Sequence, residues 1–127
     1  MPNKILIVDK EKHVRDSSIK SLLRERYDTV EAETGVEALE LIEKEDYKLV
    51  LFDDNAPGMD GIEVIRRARE ISPDILLFML TGQGTIETAF EAMKLGAVGF
   101  IRKPISIEDL TESINVALER DLQNKQN

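Results

Sequence analysis

An apolar run near the middle of the chain ends abruptly in three polar residues, Leu49-Val50-Leu51-Phe52-Asp53-Asp54-Asn55. Apolar and polar residues do not alternate within the run, as expected for a strand that is covered on both faces. Two similar runs lie at 5–8 and 75–80, and two further apolar stretches lie around 29–30 and at 98–101. We therefore predict five strands, at least three of them buried inside a parallel sheet.

Amphipathic stretches separate these runs and predict helices at 14–25, 35–45, 61–71, 86–95 and 107–122. The clearest apolar stripe is Ile86, Ala89, Phe90 and Met93, whose spacing is typical of a helix with one apolar face. Three helix starts have capping-box spacing, namely Thr34 with Glu37, Asp60 with Glu63, and Ser106 with Asp109. Pro73 is placed to end the third helix, and Gly96 the fourth. Five repeats of strand and helix predict a doubly wound α/β fold.

The length of 127 residues suits a single domain, which we place at 1–122. Residues 123–127 lose the apolar stripe and are predicted to be a tail or the start of a linker. The chain has no cysteine, which excludes disulfides, thiolate metal sites and a cysteine nucleophile. Its only histidine, His13, cannot build a histidine metal site alone.

The chain carries 25 acidic and 17 basic residues, a net charge of −8. Such a balance argues against direct binding to nucleic acid, because phosphate contacts need clustered lysine and arginine. We find no signal peptide and no apolar run long enough to span a bilayer. The expected location is the cytoplasm.

Polar residues follow four of the predicted strands, where ligands bind in open α/β sheets. They are Asp9-Lys10-Glu11, Asp53-Asp54-Asn55, Thr81-Gly82 and Arg102-Lys103-Pro104. A carboxylate can act as a nucleophile and form an acyl phosphate, while a hydroxyl and an ammonium hold the phosphoryl oxygens. Carboxylates can also bind Mg²⁺. The alternative is structural, since acids and hydroxyls after strands also cap helices.

Together these segments resemble the response-regulator receiver domains of two-component signalling, over essentially the whole chain. The resemblance includes the loop Ala56-Pro57-Gly58-Met59-Asp60-Gly61 after the central strand. It implies a flavodoxin-like sheet of five parallel strands in the order 2-1-3-4-5, with five helices. It also implies phosphotransfer from a sensor histidine kinase or a phosphotransfer protein, and a signalling role without enzymatic turnover.

The resemblance assigns roles to individual residues. Asp53 is similar to the phosphoacceptor, while Thr81 and Lys103 are similar to the hydroxyl and the ammonium that hold the phosphoryl group. Asp9, Asp53 and Asn55, the last through its carbonyl, match the Mg²⁺ site. Thr81 and Phe100 match the switch pair that moves inward together.

One position departs from the family pattern, because Lys10 stands where a second acid usually follows Asp9. A lysine ammonium ~5 Å from Mg²⁺ would repel it by roughly 6 kcal/mol at an effective dielectric constant of about 20. Two hypotheses follow. Either Asp53 is still phosphorylated with weakened Mg²⁺ binding, or a Lys10–Asp53 pair makes the domain a phosphorylation-independent interaction module.

The switched surface is expected to be the face formed by the fourth helix, the fifth strand and the fifth helix. Its polar residues are predicted to include Glu87, Glu91, Lys94 and Arg102. An output domain, a partner protein or a second copy of the chain is expected to bind there. Segment 84–97 is similar to receivers attached to transcriptional activators, which suggests transcription regulation.

A phosphohydrolase is a further alternative function. However, Asn55 stands where such an enzyme needs a second aspartate as general acid.

Overall fold

The computed structural model describes residues 4–8, 27–53, 61–81, 86–102 and 107–126. Within these ranges only the backbone is described for residues 53, 81, 86, 88, 101, 102, 107 and 122–126. The strands are β1 (Lys4–Val8), β2 (Asp28–Ala32), β3 (Leu49–Asp53), β4 (Leu76–Thr81) and β5 (Gly99–Arg102). The helices are α1 (Gly35–Lys44), α2 (Gly61–Ile71), α3 (Ile86–Lys94) and α4 (Ile107–Gln126).

All five strands are parallel and form one sheet in the order β2-β1-β3-β4-β5. This order confirms the doubly wound fold that the sequence predicted. The four described helices correspond to the second to fifth predicted helices, while the first, at 14–25, lies outside the described residues. None of the described helices is both long and apolar enough to cross a membrane.

Alternate residues of the three central strands, β1, β3 and β4, enter two separate cores, one on each face of the sheet. Leu6, Val50 and Leu77 pack with buried residues of α1 and α2, such as Ile42 and Ile65. The other face is covered by α4 and is built from Ile5, Ile7, Leu49, Leu51, Leu76, Phe78 and Leu80 with Leu110, Ile114 and Ala117. Burial on both faces explains why the central strands are apolar without alternation.

The start of α1 and the ends of α2 and α3 match the signals in the sequence. Thr34 caps α1 by accepting a 3.0 Å hydrogen bond from the Glu37 backbone amide. α2 ends at Ile71, two residues before Pro73. Gly96 follows α3 with a φ of 103°, a left-handed conformation that glycine adopts without steric cost. The predicted caps Asp60 and Ser106 lie outside the described residues.

α4 continues to Gln126, so the backbone of residues 123–126 is helical. The point along α4 at which the domain ends remains a prediction.

α3 packs differently from what its apolar stripe suggests. Phe90 is 70% exposed and Met93 is 47% exposed, whereas Ala92 is fully buried. The helix therefore meets the core through a small side chain, and two members of the stripe face solvent. A periodic stripe indicates one apolar face, but it does not say whether that face meets the core or a partner.

Candidate functional site

Three strand ends that carry predicted site residues lie at one edge of the sheet. Val8 of β1 is in register with Phe52 of β3, so Asp53 follows directly at the carboxyl end. Asp53 is in register with Leu80 of β4. Thr81, the next residue, is in register with Arg102 of β5. Because neighbouring strands lie about 4.8 Å apart, the backbones of Asp53, Thr81 and Arg102 form a compact row.

The remaining members of the predicted site fall outside the described residues. They are Asp9, Lys10, Asn55 and Lys103. In the sequence Asp9 directly follows Val8 and Lys103 directly follows Arg102, and both Val8 and Arg102 are the last residues of strands that end at this edge. Among the residues that the structure describes, no group of three or more acids or histidines is arranged to hold a metal ion. The catalytic and metal-binding roles therefore remain predictions.

Phe100, the predicted switch aromatic, is partly buried and packs against the core on the α1–α2 face. It is in register with Met79, two residues before the Thr81–Arg102 pair. Its neighbour Gly99 is in register with Phe78, and a Cβ atom at position 99 would overlap the Phe78 ring. Position 99 therefore needs glycine for reasons of space, which brings β5 close to the core beneath α4.

A groove of about 660 Å³ runs between the end of α3, strand β5 and helix α4. Its lining includes the half-exposed side chains of Met93, Val98 and Val116, together with Phe100 and Arg120. Phe90 lies one helical turn before Met93 and adds a further exposed ring. This surface belongs to the predicted partner face.

The four polar residues predicted for that face can now be placed. Glu87, Glu91 and Lys94 are exposed on α3, and the backbone of Arg102 ends β5. The prediction missed the apolar centre of the face, because it assigned polar side chains to the surface by type. The stripe with Phe90 and Met93 was the available signal.

A second cluster of ionisable groups lies at the opposite edge of the sheet. The Tyr47 side chain is 4% exposed, and its hydroxyl donates a 3.1 Å hydrogen bond to the Glu45 carboxylate. Burial, and then this carboxylate, raise the pKa of Tyr47 to about 12. Hydrogen bonds from Lys4 and Tyr47 lower the pKa of Glu45. Lys4 is the first residue of β1 and Asp53 is the last residue of β3, so this cluster is remote from Asp53.

Comparison with known proteins identifies the family. The family described as "Response regulator receiver domain" matches residues 5–115. Sporulation initiation phosphotransferase F from Bacillus subtilis is 35% identical, over 90% of this chain and 92% of that protein. Response regulator MprA from Mycobacterium sp. (strain KMS) is 33% identical, over 94% of this chain but only 52% of that protein. The chain thus spans about half the length of some curated relatives.

Solved structures agree with this assignment. A CheY-like receiver domain protein from Methanospirillum hungatei JF-1 has a TM-score of 0.90 and 34% identity, covering 98% of this chain and 99% of that one. The beryllofluoride-activated NtrC4 receiver domain dimer has a TM-score of 0.86 and 32% identity, covering 94% of this chain and 98% of that one. A response regulator from Burkholderia pseudomallei was solved with a phosphorylated aspartic acid, a calcium ion and citrate. It has a TM-score of 0.77 and 27% identity, covering 96% of this chain and 75% of that one. The chain therefore belongs to the response-regulator receiver domain family of two-component signalling.

Proposed function

We propose that Asp53 is the phosphoacceptor of this receiver domain and that its phosphorylation changes the face formed by α3, β5 and α4. The observation that carries the proposal is the strand register, which brings Asp53, Thr81 and Arg102 to one edge of the sheet. Ligands of open α/β sheets bind at this edge. The phosphorylated aspartic acid in the Burkholderia pseudomallei regulator gives the proposal independent support.

The proposed chemistry is a simple phosphoryl transfer. A carboxylate oxygen of Asp53 attacks the phosphorus of a phosphohistidine that carries a proton on its other ring nitrogen. The phosphorus–nitrogen bond breaks, and the donor leaves as a neutral imidazole that keeps this proton. Thr81 and Lys103 would hold the phosphoryl oxygens by a hydroxyl and an ammonium group. Asp9, Asp53 and the carbonyl of Asn55 would hold Mg²⁺, which neutralises charge on the phosphoryl group. The expected donor is a sensor histidine kinase or a phosphotransfer protein.

Lys10 sets the chain apart from this scheme in one respect. It adds a positive charge and removes a carboxylate beside Asp9, so we propose that Mg²⁺ binds more weakly here than in receivers with two acids. The second candidate function follows from the same residue. If Lys10 pairs with Asp53, the domain acts as an interaction module that does not depend on phosphorylation.

The deciding experiment is intact mass measured after incubation with acetyl phosphate, with and without Mg²⁺. We expect a Mg²⁺-dependent phosphoryl adduct on the parent chain. Asp53→Asn should abolish this adduct, and the neighbouring variant Asp54→Asn should keep it. Lys10→Asp should lower the Mg²⁺ concentration at half-maximal reaction by about tenfold or more, since removing the repulsion is worth more than 1.4 kcal/mol.

Three other outcomes would contradict this scheme or favour an alternative function. An adduct that survives in Asp53→Asn would refute the assignment of the phosphoacceptor. An adduct that forms only on Lys10→Asp would support the interaction module. The proposed acyl phosphate is a signal and not a step in turnover, because Asn55 cannot act as a general acid. Release of phosphate from a generic phosphomonoester would support the hydrolase alternative instead.

For the output we propose that the face formed by α3, β5 and α4 binds a partner, and a second copy of the chain is the occupant to test first. Exposed Phe90 and Met93 beside the groove supply apolar area that favours association. The related NtrC4 receiver domain is described as a dimer in its activated form. The net charge of −8 opposes direct contact with nucleic acid, so transcription regulation would require an output domain or a partner.

The association can be measured by sedimentation with beryllofluoride and Mg²⁺. We expect Phe90→Ser to weaken association by about tenfold or more, as the loss of a central aromatic does in interfaces. Val36→Ser is the matched control, because Val36 is also exposed, at 46%, but lies on α1. Equal association of the parent and Phe90→Ser would contradict the proposed face.

A further inference from the structure

Arg69, on the last turn of α2, joins two segments of backbone that are far apart in sequence. Its Nη1 donates hydrogen bonds to the carbonyl oxygens of Pro73 at 2.7 Å and Ile75 at 2.8 Å. Its Nη2 donates to the carbonyl oxygen of Gly96, just beyond the end of α3. One half-buried guanidinium thus ties the connection between α2 and β4 to the end of α3.

The end of α3 is closed by further backbone hydrogen bonds. The Ala97 amide donates to Ala92 and the Gly96 amide donates to Met93, both at 3.0 Å, in the pattern of a Schellman motif. The next amide, of Val98, donates to Leu77 of β4 at 2.8 Å. The carboxyl-terminal end of α3 is therefore fixed to its surroundings by its own cap, by β4 and by Arg69.

Glycine is favoured at position 96 for two reasons. Its φ of 103° is strained for other residues. In addition, a Cβ atom at this position would lie 2.9 Å from Arg69 Nε, closer than ordinary contact. The guanidinium therefore lies directly against the backbone of Gly96, and a larger residue at this position would have to displace it. The close packing of the guanidinium against Gly96 argues for a specific contact and against a chance approach of a long surface side chain.

The described side chains of α3 bury little apolar surface. Among the α3 side chains whose burial is described, which excludes Ile86 and Thr88, only Ala92 is fully buried. Glu87, Phe90 and Glu91 are exposed. An element that buries little apolar surface opens at low free energy, so its hydrogen-bonded end determines where it can move.

We propose that Arg69 is a positioning residue that anchors the carboxyl-terminal end of α3, so that α3 moves at its amino-terminal end and pivots at Gly96. The link to the switch rests on the proposed phosphorylation of Asp53, because β4 ends at Thr81 and the chain then leads to the amino-terminal end of α3. The anchor itself does not depend on phosphorylation. A fork-shaped guanidinium suits this role because it reaches carbonyl groups of two segments at once.

The test is residue-resolved amide hydrogen exchange on the full chain, comparing Arg69→Met with the parent. We expect exchange at Gly96, Ala97 and Val98 to accelerate by about tenfold or more, while the β1 amides change by less than about threefold. A general loss of stability would accelerate both regions equally. Arg67→Met is the matched control, since Arg67 lies on the same helix, pairs with Glu63 and is 55% exposed. It should leave exchange at 96–98 unchanged.

Arg69→Lys separates charge from shape. Lysine keeps the positive charge but lacks the planar fork of donors. We therefore expect the amides of 96–98 to exchange as fast in Arg69→Lys as in Arg69→Met. Exchange like that of the parent in Arg69→Met would overturn the proposed anchor, and exchange like that of the parent in Arg69→Lys would overturn the role of the fork.

The second comparison adds beryllofluoride and Mg²⁺ as the phosphoryl mimic. In the parent we expect changed exchange at 87–90 and not at 95–97, and in Arg69→Met we expect the change to reach 95–97. A change at 95–97 in the parent as large as that at 87–90 would refute the pivot. If the parent binds no beryllofluoride, the proposed phosphorylation fails, and the anchor is still decided by the first comparison.

Discussion

Replacing Gly99 by alanine tests the packing of β5 against the core most directly. Gly99 and Phe78 are register partners on adjacent strands, and the Phe78 ring is only 2% exposed. A Cβ atom at position 99 would overlap that ring, which must then move within a packed core. Overpacking of this kind costs about 1–3 kcal/mol. Alanine also lowers the conformational entropy of the unfolded chain, which stabilises the folded state by about 0.4–1 kcal/mol.

The net expectation for Gly99→Ala is therefore a loss of about 1–2 kcal/mol in the free energy of unfolding. For a domain of this size that corresponds to a fall of about 3–10 °C in Tm. Urea and thermal denaturation followed by circular dichroism measure both quantities. Val98→Ala is the control on the neighbouring position, where the side chain is 39% exposed and the expected change is within about 0.5 kcal/mol.

A double-mutant cycle decides whether the Phe78 ring is the cause. In a Phe78→Leu background the smaller side chain leaves room, so Gly99→Ala should cost less than about 0.5 kcal/mol. An unchanged cost in that background would refute the steric reasoning. So would a Gly99→Ala variant as stable as the parent.

Two further predictions concern α1 and the edge of the sheet remote from Asp53. Thr34→Ala should lower the free energy of unfolding by about 1 kcal/mol in urea denaturation, because the cap to Glu37 is lost, whereas Thr34→Ser should keep most of it. Equal losses in both variants would contradict a hydroxyl cap. Tyr47 should titrate near pH 12 in phenolate absorbance. Its folded pKa exceeds the unfolded value of about 10, so its contribution to stability is complete below pH 10 and is lost as the pH rises through 12. Tyr47→Phe should remove this pH dependence, and a Tyr47 that titrates near pH 10 would show that its hydroxyl is not buried.

The sequence alone predicted the five strands and the four described helices, apart from the end of α4, which lies at Gln126 and not at 122. The chemistry that it indicates for the carboxyl ends of the strands remains a prediction. Runs such as Leu49–Phe52 are apolar without alternation because both faces of the sheet are covered. The cap at Thr34 and the left-handed turn at Gly96 depend on local backbone chemistry, so short motifs predict them. The strand order came only through the resemblance to receiver domains, because the spacing of the strands does not determine which of them are neighbours.

Only the tertiary structure decided which surfaces are covered. The stripe containing Phe90 and Met93 has the same period whether it meets the core or solvent, and only packing shows that Ala92 is buried instead. Arg69 resembles its neighbours Arg66 and Arg67 in sequence, yet of the three only Arg69 reaches a carbonyl group 27 residues away along the chain. Such contacts depend on where helices and loops come to rest on the sheet, and no local pattern encodes that placement.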